Sequence, residues 1–227
     1  MNIHDPFLLR RANATELFLI RHGDALPDAD EIIPSGVYDN LPLSKTGRDQ
    51  ANALAKRLKD THFDAAYSSP LLRCRQTAAP LIEYLKLPLT IVEDIKEIRL
   101  GNVSPLPTVK EGDDLTTLSK ALQDRQNEIV RKAGKDGNWN AIPDSEPSKV
   151  FRKRVVAGID EIASKHIGER VLVFAHGGTI NAYAAEAIGL ERDFFFPCAN
   201  TSITMMHTNG DHRVIFVLND VAHLKLQ

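Results

Sequence analysis

Three short apolar runs in this chain each break abruptly into polar residues. Leu17-Phe18-Leu19-Ile20 runs into Arg21-His22-Gly23-Asp24, Phe63-Asp64-Ala65-Ala66-Tyr67 into Ser68-Ser69-Pro70-Leu71-Leu72-Arg73, and Val171-Leu172-Val173-Phe174 into Ala175-His176-Gly177-Gly178. Runs bounded in this way read as buried strands ending at a reactive edge. Between them the period lengthens to that of helices. Ser44-Lys45-Thr46-Gly47 opens a helix to about Lys59, with Ala51, Leu54, Ala55 and Leu58 on one buried stripe. Pro70 suits a first helical turn, and a helix continues over 71–85. A short strand over 89–92 follows, with Glu93, Asp94, Glu97 and Gly101 marking a polar turn. Further helices are expected over 148–165 and 179–188. Alternating runs over 201–208 and 213–218 flank Asn209-Gly210, a hairpin signal.

The remaining stretches are irregular. Residues 1–15 read as an arm ahead of the first strand. Residues 24–43, with Pro27, Pro34, Gly36 and Pro42, read as a long loop at that strand's reactive end. Residues 102–148 are helical over about 113–132 and loop-like at both ends, where Pro105, Pro107, Gly134, Gly137 and Pro143 fall; they read as an inserted cap over the rim. The 227 residues suit one α/β domain spanning 1–227.

Composition narrows the partners. A net charge of -2 and a pI of about 6.4 provide no global attraction to nucleic acid or anionic membrane, so any cationic focus is local. Met1 to Arg11 lacks the apolar segment of a secretory signal, and no run approaches the roughly 20 apolar residues of a membrane span. The two cysteines, Cys74 and Cys198, read as small buried residues in a reducing compartment, so a cytoplasmic protein is expected. Phe194-Phe195-Phe196 reads as core or dimer-contact packing, which leaves a homodimer open.

Ligands of open α/β sheets lie beyond the carboxyl ends of the strands. If the three strands are parallel, Arg21, His22, Arg73 and His176 share one rim. Two guanidinium forks favour a tetrahedral dianion such as phosphate, and helix N-termini after Ser69 and after Gly178 would add N–H donors. A ring nitrogen of His22 can attack phosphorus, provided the leaving oxygen is protonated. Glu97 is the carboxyl nominated for that proton, with Glu93 and Asp94 close by; a bound dianion favours its protonated form. His176 would share the charge of the transferring group. Arg75, Thr179 and Glu146 read as helix-surface or capping residues, and His223 as an anchor of the last loop. Whether Lys110, Arg125 and Trp139 lie over the pocket is open.

In order and spacing, Arg21-His22-Gly23, Ser68-Ser69-Pro70-Leu71-Leu72-Arg73 with Gln76-Thr77-Ala78, Glu97 four before Gly101, and His176-Gly177-Gly178 resemble the histidine phosphatase superfamily, phosphoglycerate-mutase-like branch. The resemblance extends through 39–47 and 219–224, nearly the whole chain after Thr15. It implies a three-layer αβα fold with a mostly parallel sheet and helical cap. It also implies a phosphohistidine intermediate on His22, phosphate contacts from Arg21, Arg73, His176 and Gly177, Glu97 as proton donor, and neither metal nor cofactor. Relatives that are mutases carry Glu and then Asn after the Arg-His-Gly, where this chain has Asp24 to Asp28, and an Arg-Arg-His-Tyr-Gly run that is absent here. The expected activity is therefore metal-independent hydrolysis of a small phosphorylated metabolite, chosen by the cap. A mutase, a phosphohistidine-protein phosphatase and a non-catalytic phosphoprotein-binding module are the alternatives.

Overall fold

A computed structural model describes residues 7–8, 10–26, 40–101 and 115–225. Expectations for Pro27, Asp28, Pro34, Gly36, Asp39, Pro105, Pro107 and Lys110 lie outside the described residues. Strands β1 (Thr15–Arg21), β2 (Ala65–Ser68), β3 (Leu89–Ile91), β4 (Arg170–Ala175), β5 (Ile203–Thr208) and β6 (Arg213–Asp220) form one sheet in the order β3-β2-β4-β1-β5-β6. The first four in that order are parallel, β5 runs antiparallel to β1, and β6 antiparallel to β5. The fold is α/β, with a mixed, mostly parallel sheet flanked by helices.

The helices are α1 (Lys45–Leu58), α2 (Leu72–Leu85), α3 (Leu115–Asp136), α4 (Ser148–Ser164), α5 (Gly177–Ala187) and α6 (Ala222–Lys225). Successive strand side chains point to opposite faces, so the central strands divide their residues between two cores. Leu17 and Leu19 of β1, with Val171 and Val173 of β4, pack against Phe151, Val155 and Ile159 of α4 and Tyr183 of α5. Ile20, Leu172 and Phe174 face the other way, against Leu54 and Leu58 of α1 and Cys74, Ala78 and Leu81 of α2. Strands buried on both faces read as continuous apolar runs, which is why β1 and β4 were conspicuous.

Several boundaries differ from the expected ones for identifiable reasons. Pro70 stands outside α2; Leu71, with extended backbone, is the residue before its first turn. Helix α5 begins at Gly177, because His176 is extended (φ -127°, ψ 163°) and the two glycines already turn with the helix. Helix α3 reaches Asp136, and Ile129, Ala133, Trp139 and Ile142 belong to the core on the α4 side. The hairpin is closed by four residues, with the Asn209 carboxamide oxygen accepting from the N–H groups of Asp211 (3.2 Å) and His212 (3.0 Å). Of the arm, Leu8 is buried, and its carbonyl accepts from His207 Nδ1 at 2.7 Å. Phe196 is buried in the core and Phe194 and Phe195 pack against it.

The start of α1 is fastened to the turn after β1. The Ser44 hydroxyl accepts from the Gly47 N–H at 3.0 Å, capping the helix, and reaches the Asp24 carboxylate at 2.6 Å. A Cβ at Gly47 would stand 2.0 Å from the Asp24 carbonyl oxygen, and one at Gly23 would stand 2.7 Å from the Gly47 carbonyl oxygen. Backbone meets backbone here, so neither side can swing away. Gly47→Ala is expected to destabilise the protein by about 1–3 kcal/mol, the usual range for overpacking; the urea midpoint should fall with the slope unchanged.

Candidate active site

Register brings the predicted residues together. Arg21 stands beside Ala175, and Ser68 beside Phe174, so β1, β2 and β4 end at one level. Two bonds continue the ladder past the strand ends: His22 N–H to the Ala175 carbonyl at 3.1 Å, and Ser69 N–H to the Phe174 carbonyl at 2.9 Å. The rings of His22 and His176 consequently lie 5.3 Å apart, centroid to centroid.

Hydrogen bonds settle which nitrogen of each imidazole carries the proton. Nδ1 of His22 faces the Gly23 carbonyl at 2.7 Å; a carbonyl only accepts, so Nδ1 is protonated and Nε2 holds the lone pair. A terminal nitrogen of Arg73 lies 3.3 Å from His176 Nδ1. The guanidinium only donates, so His176 Nδ1 is bare and Nε2–H points to the Ser69 hydroxyl at 2.7 Å. Burial lowers the pKa of both rings well below the usual imidazole value, and the neighbouring guanidinium of Arg73, with Arg21, lowers them further. Both imidazoles are neutral at neutral pH.

Arg21 donates to the Cys198 carbonyl through one terminal nitrogen, while its Nε is buried with no partner. A Cβ at Gly177 would meet that Nε at 3.5 Å, an ordinary contact, so the glycine is not sterically required there. Gly178 differs: a Cβ would fall 2.4 Å from Glu97 Oε1 and 2.9 Å from Trp139 Cζ2. Glu97 follows the 3₁₀ turn Glu93–Ile95. Its two carboxyl oxygens accept from the Ile98 N–H (3.1 Å) and the Gly178 N–H (3.2 Å). The Gly178 donor therefore serves Glu97, where the sequence suggested an anion. Burial raises the Glu97 pKa, opposed by those two bonds and by Arg73 and Arg21. Glu93 and Asp94 are both exposed.

Five groups singled out in the sequence thus surround one spot: Arg21, His22, Arg73, Glu97 and His176. Arg75 is exposed. Thr179 is neither at the surface nor a cap: it is fully buried, with its hydroxyl on the Ile95 carbonyl at 3.3 Å. Glu146 does not cap a helix either; it pairs with Arg154 at 2.7 Å. Trp139 is buried beside Glu97, edge-on to Phe151 and Phe194. Four further contacts support the site; His223, expected to anchor the last loop, and Thr77, within the Gln76-Thr77-Ala78 motif, contribute to two of them. The Thr77 hydroxyl accepts from the Gly23 N–H (2.9 Å) and donates to the Arg73 carbonyl (2.7 Å), tying the two turns together. Asn200 donates to the His22 carbonyl at 3.2 Å. Cys74 donates to the Ala175 carbonyl at 3.3 Å, its thiol pushed up to about 12 by burial. His223 faces the Thr201 hydroxyl at 3.0 Å, and the Thr201 N–H donates to the His22 carbonyl at 3.3 Å. Among the described residues, no three His, Cys, Asp or Glu side chains are grouped to hold a metal ion, and no helix is long and apolar enough to cross a membrane.

Comparison with known proteins accords with this geometry. The sequence pattern of the histidine phosphatase superfamily (branch 1) matches residues 17–221. The metal-independent phosphoserine phosphatase of Arabidopsis thaliana is 28% identical over 215 residues, covering 94% of this chain and 84% of that protein. Phosphoserine phosphatase 1 of Hydrogenobacter thermophilus is 28% identical over 214 residues, covering 92% and 94%. The fold is shared with the crystal structure of a phosphoglycerate mutase from Bacillus anthracis, at a TM-score of 0.70 and 21% identity over 95% of this chain and 98% of that one. The chain belongs to the histidine phosphatase superfamily, branch 1, and is a phosphoric monoester hydrolase.

Proposed function

We propose that the protein hydrolyses a small phosphomonoester, without a metal ion, through a phosphohistidine on His22. The observation that carries this is the tautomer: the Gly23 carbonyl holds the His22 proton on Nδ1, leaving the Nε2 lone pair on a ring 5.3 Å from His176. Arg21, Arg73 and His176 bind the phosphoryl oxygens and gather the charge that spreads over them in the transition state. Nε2 attacks phosphorus, the P–O ester bond breaks, and the leaving oxygen takes the proton of Glu97. Water then attacks phosphorus, the Glu97 carboxylate takes a proton from it, and the P–N bond breaks. Inorganic phosphate and neutral His22 are the products, and Glu97 ends protonated as it began.

Electrostatics supports these roles. An imidazole whose pKa burial and two guanidinium groups hold down is a free base ready to attack at neutral pH. Glu97 starts from a pKa raised by burial, and the arriving dianion raises it further. O-phosphoserine is the first substrate to test, because the two relatives named above align along nearly the whole chain and are phosphoserine phosphatases. We further propose one domain over 1–227, in which the 102–148 segment selects the alcohol released.

His22→Ala is expected to abolish turnover and the acid-labile phosphoenzyme trapped in a quench of labelled substrate; hydrolysis that survives the substitution would remove the mechanism. The pH dependence has a definite sign. His22 must be unprotonated and Glu97 protonated, so kcat/KM should fall at low pH through the lowered His22 pKa and at high pH through the raised Glu97 pKa. Glu97→Gln keeps the shape but has no proton to give. Its kcat on an alkyl phosphate should drop by about 100-fold or more, and the alkaline limb should disappear. An unchanged alkaline limb would assign that limb to another group.

A further inference from the structure

Arg154, on α4, divides its guanidinium between Glu146 and the segment that carries Glu97. Nε and one terminal nitrogen form a fork with the two carboxylate oxygens of Glu146, each at 2.7 Å. The other terminal nitrogen donates to the Asp94 and Lys96 carbonyls, both at 2.8 Å, and the forked one also reaches the Glu97 carbonyl at 3.3 Å. Glu146 continues the clasp: its N–H donates to the Arg99 carbonyl at 2.8 Å, and its carboxylate accepts from the Arg99 N–H at 3.4 Å. One ion pair thus ties down the backbone on both sides of Glu97.

That stretch needs such a tie. Between the 3₁₀ turn and Gly101 it belongs to no strand or helix, so its carbonyls have no ladder partners and require donors from elsewhere. Burial would raise the Glu146 pKa, yet the Arg154 fork outweighs it and holds the carboxyl below its ordinary value, so the pair stays charged. A planar fork with five donors suits this set of acceptors; an ammonium on a flexible stem does not.

We propose that Arg154, braced by Glu146, is a positioning residue that holds the Glu97 carboxyl where it protonates the leaving oxygen. The assignment rests on Glu97 as proton donor and adds the device that aims it. Leaving-group basicity separates this role from general support of the fold. Phenol leaves poorly unless protonated, whereas p-nitrophenol leaves readily as the anion, so a displaced acid slows phenyl phosphate far more than p-nitrophenyl phosphate.

The test measures kcat and KM for both esters with the full chain, its Arg154→Lys and Glu146→Gln variants, and Glu97→Gln as reference, after confirming that each melts cooperatively. Arg154→Lys is expected to lower kcat on phenyl phosphate by about tenfold, a part of the general-acid contribution, with a small loss on p-nitrophenyl phosphate and KM little changed. Glu146→Gln should show the same selectivity with smaller amplitude, and it carries the test by itself if Arg154→Lys does not fold. Equal losses on both esters, beside a selective loss in Glu97→Gln, would overturn the role of Arg154 and leave that of Glu97 intact. No selectivity in Glu97→Gln would overturn the proton donor, and the positioning role with it.

Discussion

The structure depends on three parallel strands ending at the same height. Arg21 lies level with Ala175 and Ser68 with Phe174, and the ladder hydrogen bonds that set this register are backbone bonds shared along buried strands. A slip of one residue in β1 would exchange its two faces, sending Leu17 and Leu19 into the core that holds Ile20. The hydrophobic cores on either side of the sheet therefore enforce the register, and the register places His22 against His176. Packing far below the rim determines geometry at the rim.

At the rim the balance is between burial and charge. Desolvation is the largest influence on His22, His176 and Glu97, and in each case it favours the uncharged form. The guanidinium groups reinforce it on the imidazoles and oppose it on the carboxyl. A neutral base and a carboxyl with a raised pKa consequently stand near the same strand ends, the pairing on which the proposed mechanism draws. Arg21 Nε is buried with no partner, which suits the proposed role of this residue in binding a phosphoryl oxygen.

Much of this arrangement was legible in the chain. Strands buried on both faces announce themselves as unbroken apolar runs, and the residues ending β1 and β4 were therefore conspicuous. Glu97 could be nominated but not separated from Glu93 and Asp94 by sequence; its bond to the Gly178 N–H distinguishes it. An acid or a hydroxyl near the start of a helix resembles a cap, so residue type alone does not reveal the contacts of Glu146 and Thr179. Their real partners, Arg154 across the 94–99 segment and the Ile95 carbonyl, come from packing. Helix α5 starts at Gly177, two residues before the expected Thr179, since glycines ordinarily mark a turn and not a first helical turn.

The sequence by itself determined the chemical groups at the strand ends, the apolar pattern that makes those strands buried, and the helices that cover them. All of that is local information, carried by residue type and period. The tertiary structure alone decided which nitrogen of His176 is bare, which acid meets Gly178, and what steadies that acid. Those outcomes hang on contacts between residues 103, 81 and 57 positions apart, and a hydrogen bond reports direction and distance that no spacing along the chain encodes.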